Sequence, residues 1–315
     1  MKLISYGLAT LPLGAMGISG QNDFADVIQD LTNLPADKSF SSRGMSLDAR
    51  SISSEKRISQ AKEGLIVRLV QYTAAAYCAD FVIKAWSCSF CRSLQNVELI
   101  SVQDDFWNGQ KGYVAVDHTL SAIVVVFRGS SDIQNWVSDF DMAKTSFDIG
   151  VPNIKVHHGF LQYSNGITPK TIPVVQPLIA KYTNYTLIIT GHSLGAAVAS
   201  IASIQLQKAL NIPWFNITLV TFGQPRVGNL PFAQWMNSRN TTMLRVVNNR
   251  DIVPHVPPYN DGYVHHNREI LLTPGLTQSC TSTSPEDPNC ANSKVPYLDA
   301  LDHISYLDVN FTLLC

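Results

Sequence analysis

Short apolar runs recur along the chain and are separated by polar segments or by longer amphipathic ones. Ala122–Phe127, Leu187–Thr190, Ile217–Phe222 and Met243–Val247 contain few or no polar positions. Runs of this length without a polar face are typical of strands that are buried on both sides of a sheet. Tyr113–Asp117 precedes the first of these runs and is predicted to be a further strand.

Helical spacing appears between these runs. Leu194–Leu210 and Pro231–Ser238 are predicted helices that follow two of the strands. Strands alternating with helices predict an α/β fold with a predominantly parallel central sheet flanked by helices. Thr273–Ser293 is rich in Ser and Cys and is predicted to be a long loop. A further amphipathic helix is predicted before the strands, from apolar residues spaced three or four apart: Ala61, Leu65, Leu69, Tyr72 and Ala76.

The first part of the chain differs from the rest. After Lys2, residues 3–20 carry no charge and end among small residues, which predicts a signal peptide over 1–20. Residues 21–57 are polar without an apolar period and end in Lys56-Arg57, which predicts a propeptide. A polar tail and two solvated charges at a helix start are the alternatives. The catalytic domain is then expected over 58–315.

Composition restricts the class of protein. The 315 residues carry a formal net charge of −1 with 15% charged residues, which argues against a nucleic-acid partner. No uninterrupted apolar stretch is long enough to span a bilayer, so no transmembrane anchor is expected. Six cysteines fit disulfides in a secreted, extracellular protein, and a monomer is expected. Four N-x-[ST] sequons, candidates for glycosylation, agree with secretion: Asn184, Asn216, Asn240 and Asn310.

The segment Gly191-His192-Ser193-Leu194-Gly195 lies where a predicted strand meets a predicted helix. A G-x-S-x-G pattern in this context is the nucleophile elbow, in which the glycines permit a turn that exposes the serine. A serine hydroxyl needs an imidazole to accept its proton, and the imidazole needs a carboxylate to orient it.

Chain order suggests the two partners of Ser193. In α/β-hydrolase-like chains the acid and then the histidine follow the serine. Asp251 follows the Met243–Val247 strand, and His303 is the last histidine of the chain. Spacing by itself leaves alternatives open, which are the acids Asp261, Asp299, Asp302 and Asp308 and the bases His255, His265 and His266.

Motifs for bound cofactors are weak. Cys88-Ser89-Phe90-Cys91 resembles half of a zinc or redox site, but no second C-x-x-C accompanies it, which favours a structural disulfide. His265 and His266 are adjacent and would face opposite sides of a strand. We therefore expect no metal, and no nucleotide or flavin cofactor.

A short amphipathic helix is predicted directly after Ser130. Ile133, Trp136, Val137 and Phe140 follow the i, i+3, i+4, i+7 spacing, with polar residues between them. An ordinary helix facing the core is the alternative interpretation.

Six motifs together resemble one family, the filamentous-fungal class 3 triacylglycerol lipases of the Rhizomucor and Rhizopus type. The similarity runs from about Ser59 to Cys315, and Ala196, where the family often has glycine, departs from it. The motifs are Val126-Phe127-Arg128-Gly129-Ser130-Ser131, Val156-His157-His158-Gly159-Phe160, Gly191-His192-Ser193-Leu194-Gly195, Gly223-Gln224-Pro225-Arg226-Val227-Gly228, the segment from Arg250 to Pro258, and Leu301-Asp302-His303-Ile304-Ser305-Tyr306.

The resemblance implies an α/β-hydrolase-like fold with a Ser193–Asp251–His303 triad that acts through an acyl-enzyme. It further implies an oxyanion hole at Ser130 and Leu194, and a lid formed by the helix containing Trp136. A lid of this kind turns its apolar face outward at a lipid–water interface, where the acylglycerol substrate is found. The implied disulfides are Cys78–Cys315, Cys88–Cys91 and Cys280–Cys290.

Two other functions remain open from the sequence. Related chains include feruloyl esterases and phospholipases of the A1 type, which would use the same scaffold on other esters. A surface-binding protein that has lost catalysis is the alternative from another class. The apolar positions around Trp136 favour an oily interface over a soluble substrate.

Overall fold

The computed structural model describes residues 59–105, 109–132, 142–280 and 286–312. The expected signal peptide and propeptide lie outside the described residues. So do the expected lid residues Ile133, Trp136, Val137 and Phe140, and also Cys315.

Six helices and twelve strands occur in the described ranges. The helices are α1 (Gln60–Ala75), α2 (Asp80–Lys84), α3 (Ser89–Ser93), α4 (His158–Lys181), α5 (Leu194–Leu210) and α6 (Leu230–Asn237). The strands are β1 (Val97–Asp105), β2 (Gln110–Asp117), β3 (Ala122–Phe127), β4 (Lys144–Ser146), β5 (Lys155–His157), β6 (Thr186–His192), β7 (Ile217–Phe222), β8 (Thr242–Asn248), β9 (Glu269–Thr273), β10 (Leu276–Ser279), β11 (Ser305–Tyr306) and β12 (Val309–Asn310).

One sheet of eight strands organises the molecule, in the order β1-β2-β3-β6-β7-β8-β9-β10. The five strands from β3 to β9 run parallel, and antiparallel strands complete both edges. The predicted parallel sheet with flanking helices is therefore confirmed. Its parallel strands bring the carboxyl ends of β6, β7 and β8 to one edge, where ligands and catalytic groups are found in folds of this kind.

Alternate side chains of the strands enter two different cores. Along β3, Val124 and Val126 pack in the core that contains α1, whereas Val125 and Phe127 pack in the core that contains α4 and α5. Because both faces are covered, these strands need apolar residues at every position. The continuous apolar runs of the sequence follow from this arrangement.

Helix α1 is fixed to the sheet by a buried carboxylate. Asp117, at the end of β2, accepts hydrogen bonds from Arg68 Nε at 2.6 Å and from the Tyr72 hydroxyl at 2.8 Å. The backbone N–H groups of Thr119 and Leu120 also donate to it, each at 3.0 Å. At the start of the helix, the Ser59 side chain accepts from Lys62 N.

The structure corrects one sequence expectation and adds one helix that the sequence did not predict. Thr273–Ser293 is not a continuous loop, because β10 pairs there with β9 and closes the edge of the sheet. Helix α4 has no counterpart among the predicted helices, since Pro169, Pro173 and Pro177 lie within its 24 residues.

Candidate active site

The elbow at Ser193 joins β6 to α5 through a single residue. Ser193 has φ 60° and ψ −131°, a conformation that non-glycine residues rarely adopt and that is typical of strained functional positions. A side chain on Gly191 would collide with the Gly195 carbonyl, and one on Gly195 would collide with the Phe127 carbonyl. Both glycines are thus required for α5 to start this close to β3 and β6.

An acid and a base meet beside this elbow. Asp251 lies three residues beyond β8, and His303 ends a 3-10 turn at Leu301–His303. His303 Nδ1 is 3.0 Å from Asp251 Oδ1 and 2.9 Å from Oδ2, and neither residue is exposed to solvent. Because a carboxylate only accepts, His303 carries its hydrogen on Nδ1 and leaves Nε2 as an acceptor.

The serine lies next to this pair. The Ser193 N–H donates to the Phe222 carbonyl at 2.9 Å, and the next residue, Gly223, lies against both Asp251 and His303. Ser193 Oγ and His303 Nε2 are both buried, and neither has a hydrogen-bond partner among the described residues. These are the two atoms that proton transfer in a serine triad would join.

Two further groups hold the carboxylate of Asp251. The Val253 N–H donates to Oδ1 at 2.8 Å, and the Tyr306 hydroxyl donates to Oδ2. Burial, and next the negative charge of Asp251, raise the pKa of Tyr306 well above its ordinary value, so the hydroxyl keeps its proton. Tyr306 was not assigned a role from the sequence, although it lies in the same motif as His303.

The segment after β3 borders the other side of the serine. A Cβ atom on Gly129 would lie 3.0 Å from Ser193 Cβ, which places Ser130 next to the elbow. The Ser130 hydroxyl is held in a local turn, where it accepts from the Asp132 N–H at 3.2 Å and donates to the Asp132 carbonyl at 3.1 Å. Leu194 is the first residue of α5, where backbone N–H groups have no partner within the helix. The oxyanion hole at Ser130 and Leu194 stays a prediction that this arrangement agrees with.

Comparison with known proteins agrees with this geometry. Residues 124–261 match the family model described as lipase (class 3). A lipase of Rhizomucor miehei is 36% identical over 258 residues, which cover 79% of this chain and 70% of that protein. The chain belongs to the class 3 lipases.

Solved structures of class 3 lipases have the same fold. The structure of Rhizomucor miehei triacylglyceride lipase matches with a TM-score of 0.77 and 32% identity, over 82% of this chain and 98% of that one. A second triacylglycerol lipase structure matches with a TM-score of 0.77 and 33% identity, over the same shares of the two chains. That second structure is described as having a serine protease triad at its catalytic centre.

The alternative acids left open by the sequence have other contacts in this lipase. Asp302 accepts hydrogen bonds from Asn249 Nδ2 at 3.0 Å and from Arg250 N at 3.1 Å, which ties the loop containing His303 to the end of β8. Asp299 forms an exposed ion pair with Arg250. Asp261 and Asp308 are exposed.

The alternative bases lie in a separate polar cluster. His265 is buried and its Nε2 lies 2.8 Å from the Pro254 carbonyl. His266 Nε2 is 3.3 Å from the side chain of Gln224. His255 lines a small cavity together with His265 and Arg226. Burial is the main cause that lowers the pKa of all three histidines.

Disulfides join Cys88 to Cys91 and Cys280 to Cys290. Glu269 lies close to Cys280 and Cys290, but the two sulfurs are bonded to each other and so do not offer thiolate ligands to a metal. Among the candidate glycosylation sites, Asn184, Asn216 and Asn240 are exposed and Asn310 is half-buried. Within the described ranges, no helix combines the length and apolar character needed to cross a membrane.

Proposed function

We propose that the protein is a secreted triacylglycerol lipase that cleaves carboxylic esters of long-chain acylglycerols through a Ser193–His303–Asp251 triad. The observation that carries this proposal is the buried contact between His303 Nδ1 and Asp251 beside the strained serine. Membership of the class 3 lipases supports an ester as the substrate.

The proposed reaction has two steps. His303 Nε2 accepts the Ser193 proton as Oγ attacks the ester carbonyl, and it then gives this proton to the departing alcohol. A water molecule, activated by the same histidine, releases the fatty acid from the acyl-enzyme. The negative charge on the substrate oxygen is stabilised by the N–H groups of Ser130 and Leu194 and by the Ser130 hydroxyl, and each such donor is worth about 3 to 4 kcal/mol.

Replacement of the nucleophile tests the triad. Ser193→Ala removes the attacking oxygen, so we expect kcat to fall by at least ~10³-fold while adsorption to an emulsion is unchanged. Ser203→Ala is the matched control, because the Ser203 hydroxyl is also buried and donates a hydrogen bond to the Ser200 carbonyl within α5. Its kcat should stay within about twofold of the parent enzyme. Undiminished hydrolysis by Ser193→Ala would refute the assignment.

Secretion and action at an interface are further parts of the proposal. Two disulfides in the described residues support an oxidising environment. The apolar spacing of Ile133, Trp136, Val137 and Phe140 supports a lid that opens against lipid. We also propose that the enzyme acts as a monomer.

An interfacial enzyme and a soluble esterase differ in how rate depends on substrate concentration. With tributyrin, we expect the rate to rise sharply as the substrate passes its solubility limit, because the new oil surface shifts the lid toward its open state. Trp136→Ser should reduce this rise without changing hydrolysis of a dissolved ester. Smooth saturation through the solubility limit would instead favour an esterase of the feruloyl type.

A further inference from the structure

His192, the residue before the nucleophile, has both ring nitrogens engaged. Its Nδ1 is 2.8 Å from the Tyr77 hydroxyl, and its Nε2 is 2.9 Å from the backbone carbonyl of His303. Since a carbonyl only accepts, Nε2 must carry the hydrogen. Nδ1 is then the acceptor and the Tyr77 hydroxyl is the donor, so the contacts fix a single tautomer of His192.

The ring of His192 packs directly on the ring of His303. The two ring centres are 4.5 Å apart with an angle of 28° between the planes, and Phe311 also stacks on His192 at 3.8 Å and 8°. His192 is fully buried. Burial, and next the positive charge of His303, lower the pKa of His192 well below its ordinary value. A neutral ring therefore lies beside the imidazole that must become charged when it accepts the serine proton.

The Tyr77 hydroxyl also lies against the segment that leads to Ser130. A side chain on Gly129 would collide with this hydroxyl. Burial raises the pKa of Tyr77 above its ordinary value, so the hydroxyl remains a donor to His192. Two hydrogen bonds thus run from Tyr77 through His192 to the main chain of His303.

We propose that Tyr77 and His192 are positioning residues that hold the backbone of His303 while Asp251 holds its ring. With both its backbone and its ring held, His303 keeps Nε2 in one direction, and Tyr77 packs against Gly129 at the same time. The proposal rests on the proposed function, in which His303 is the base. Neither residue donates or accepts the proton that moves between Ser193 and His303 in the proposed reaction.

Two amide variants separate the two contacts of His192. The amide nitrogen of His192→Gln reaches about as far as Nε2 and can still donate to the His303 carbonyl. The side chain of His192→Asn ends near the position that Nδ1 occupies in the parent protein. It can therefore accept from Tyr77 but does not reach the His303 carbonyl. Both variants lose the stacked ring, which makes each a control for the other.

We expect the Gln variant to keep kcat within ~5-fold of the parent on a dissolved p-nitrophenyl ester, and the Asn variant to lose ~10 to 100-fold, equivalent to about 1.4 to 2.7 kcal/mol. KM should change less than about twofold in both, because substrate binding is not involved. A merely structural role predicts that kcat follows the melting temperature of the variants. Equal kcat values for Gln and Asn, or values that follow melting temperature, would overturn the proposal.

The Tyr77 hydroxyl has its own matched control. Tyr77→Phe removes the donor to His192 and should lower kcat by ~3 to 10-fold, a loss of about 0.7 to 1.4 kcal/mol. Tyr113→Phe removes another buried hydroxyl, which donates to the Tyr72 carbonyl at 2.7 Å in a different part of the core. Its melting temperature should fall by a similar amount while its kcat stays unchanged. Equal kcat losses in both variants would contradict a role specific to Tyr77.

A spectroscopic readout does not depend on turnover. In Ser193→Ala protein labelled with ¹⁵N-histidine, we expect His192 to show the Nε2–H tautomer, and His192→Asn to broaden or shift the His303 signals more than His192→Gln does. The Nδ1–H tautomer, or identical His303 signals in the two variants, would overturn the proposal even if ester hydrolysis is confirmed. If the parent hydrolyses no ester, the proposed function fails while these spectra still test the hydrogen bonds.

Discussion

Gly223 connects β7 to the acid–base pair and leaves no room for a side chain. Its φ is +55°, and a Cβ atom there would lie 2.8 Å from His303 Nδ1 and 2.9 Å from Asp251 Oδ2. The imidazole and the carboxylate thus pack directly against the main chain of this residue. The orientation of His303 therefore depends on the absence of a side chain at Gly223 as well as on the hydrogen bond between His303 and Asp251.

Gly223→Ala is therefore expected to lower kcat by about 10 to 100-fold, because the new methyl displaces the His303 ring from its partner. Gly275→Ala is the control, since Gly275 has φ +77° and no atom within 4 Å of its Cβ position. Both variants carry the backbone penalty of a positive φ, but only the first should lose activity in a steady-state assay. Equal activities would mean that His303 tolerates the displacement.

Chain order in the sequence suggested Ser193, Asp251 and His303, of which the structure pairs Asp251 with His303, but it did not exclude the competitors. Spacing left Asp302 open as an alternative to Asp251. Their difference comes from tertiary contacts, because Asp302 bonds to Asn249 and Arg250 whereas Asp251 faces His303. The positioning role proposed for Tyr77 and His192 depends on hydrogen bonds between residues more than 100 positions apart, which the sequence does not reveal.

At the level of elements, α4 shows how a helix can contain prolines. Pro169, Pro173 and Pro177 are spaced four apart and are all exposed, so they share the face that looks into solvent. The carbonyl groups that lose their N–H partners on this face can bond to water instead. The opposite face buries Phe160, Ile167 and other residues against the sheet and α5, and this burial outweighs the missing hydrogen bonds.

Removing one of these prolines should stabilise the protein. Pro173→Ala restores a helical N–H, and we expect the free energy of unfolding in urea to rise by about 1 to 3 kcal/mol. Pro231→Ala serves as the control, because Pro231 lies in the first turn of α6, where proline costs little. A rise in both variants, or in neither, would argue against this account of α4.

The elements that the sequence predicted are those with a single clear pattern. The central strands β3, β6, β7 and β8 are buried on both faces, so continuous apolar runs identified them. Strand β1 lies at the sheet edge with mostly half-buried residues and lacks such a run. Helix α4 was not predicted for a different reason. Its prolines disfavour a helix locally, whereas the burial of its apolar face favours one.

At the scale of the whole molecule, one polar cluster links stability to pH. Arg226 donates to both carboxylate oxygens of Glu286 and to the carbonyls of His255 and Pro257. It therefore joins the loop after β7, the turn after Asp251 and the segment between Cys280 and Cys290. His255 faces this cluster, and burial, followed by the positive charge of Arg226, lowers its pKa to about 4.

This depressed pKa predicts acid sensitivity. An unfolded histidine binds its proton near pH 6.5, whereas folded His255 binds it near pH 4. The unfolded state thus holds more protons between these values, and stability is lost as pH falls from about 6.5 to about 4. His266, whose pKa burial lowers to about 3, extends the same loss to lower pH. Each proton contributes a slope of up to about 1.4 kcal/mol per pH unit.

Urea unfolding at several pH values measures the slope, and His255→Gln isolates one proton. The variant should show a shallower decline between pH 6.5 and 4, because it lacks the imidazole that binds this proton. An unchanged slope would mean that His255 is not held neutral by the fold.

His303 follows the last strand of the eight-stranded sheet by more than twenty residues. Every strand of the eight-stranded sheet, from β1 to β10, is complete by Ser279, and Ser193 is in place well before that. On the proposed assignment, a ribosome-bound chain can therefore build its scaffold and elbow while the hydroxyl still lacks a base. Until the segment that carries His303 has been synthesised, the nascent chain is therefore expected to hydrolyse no ester.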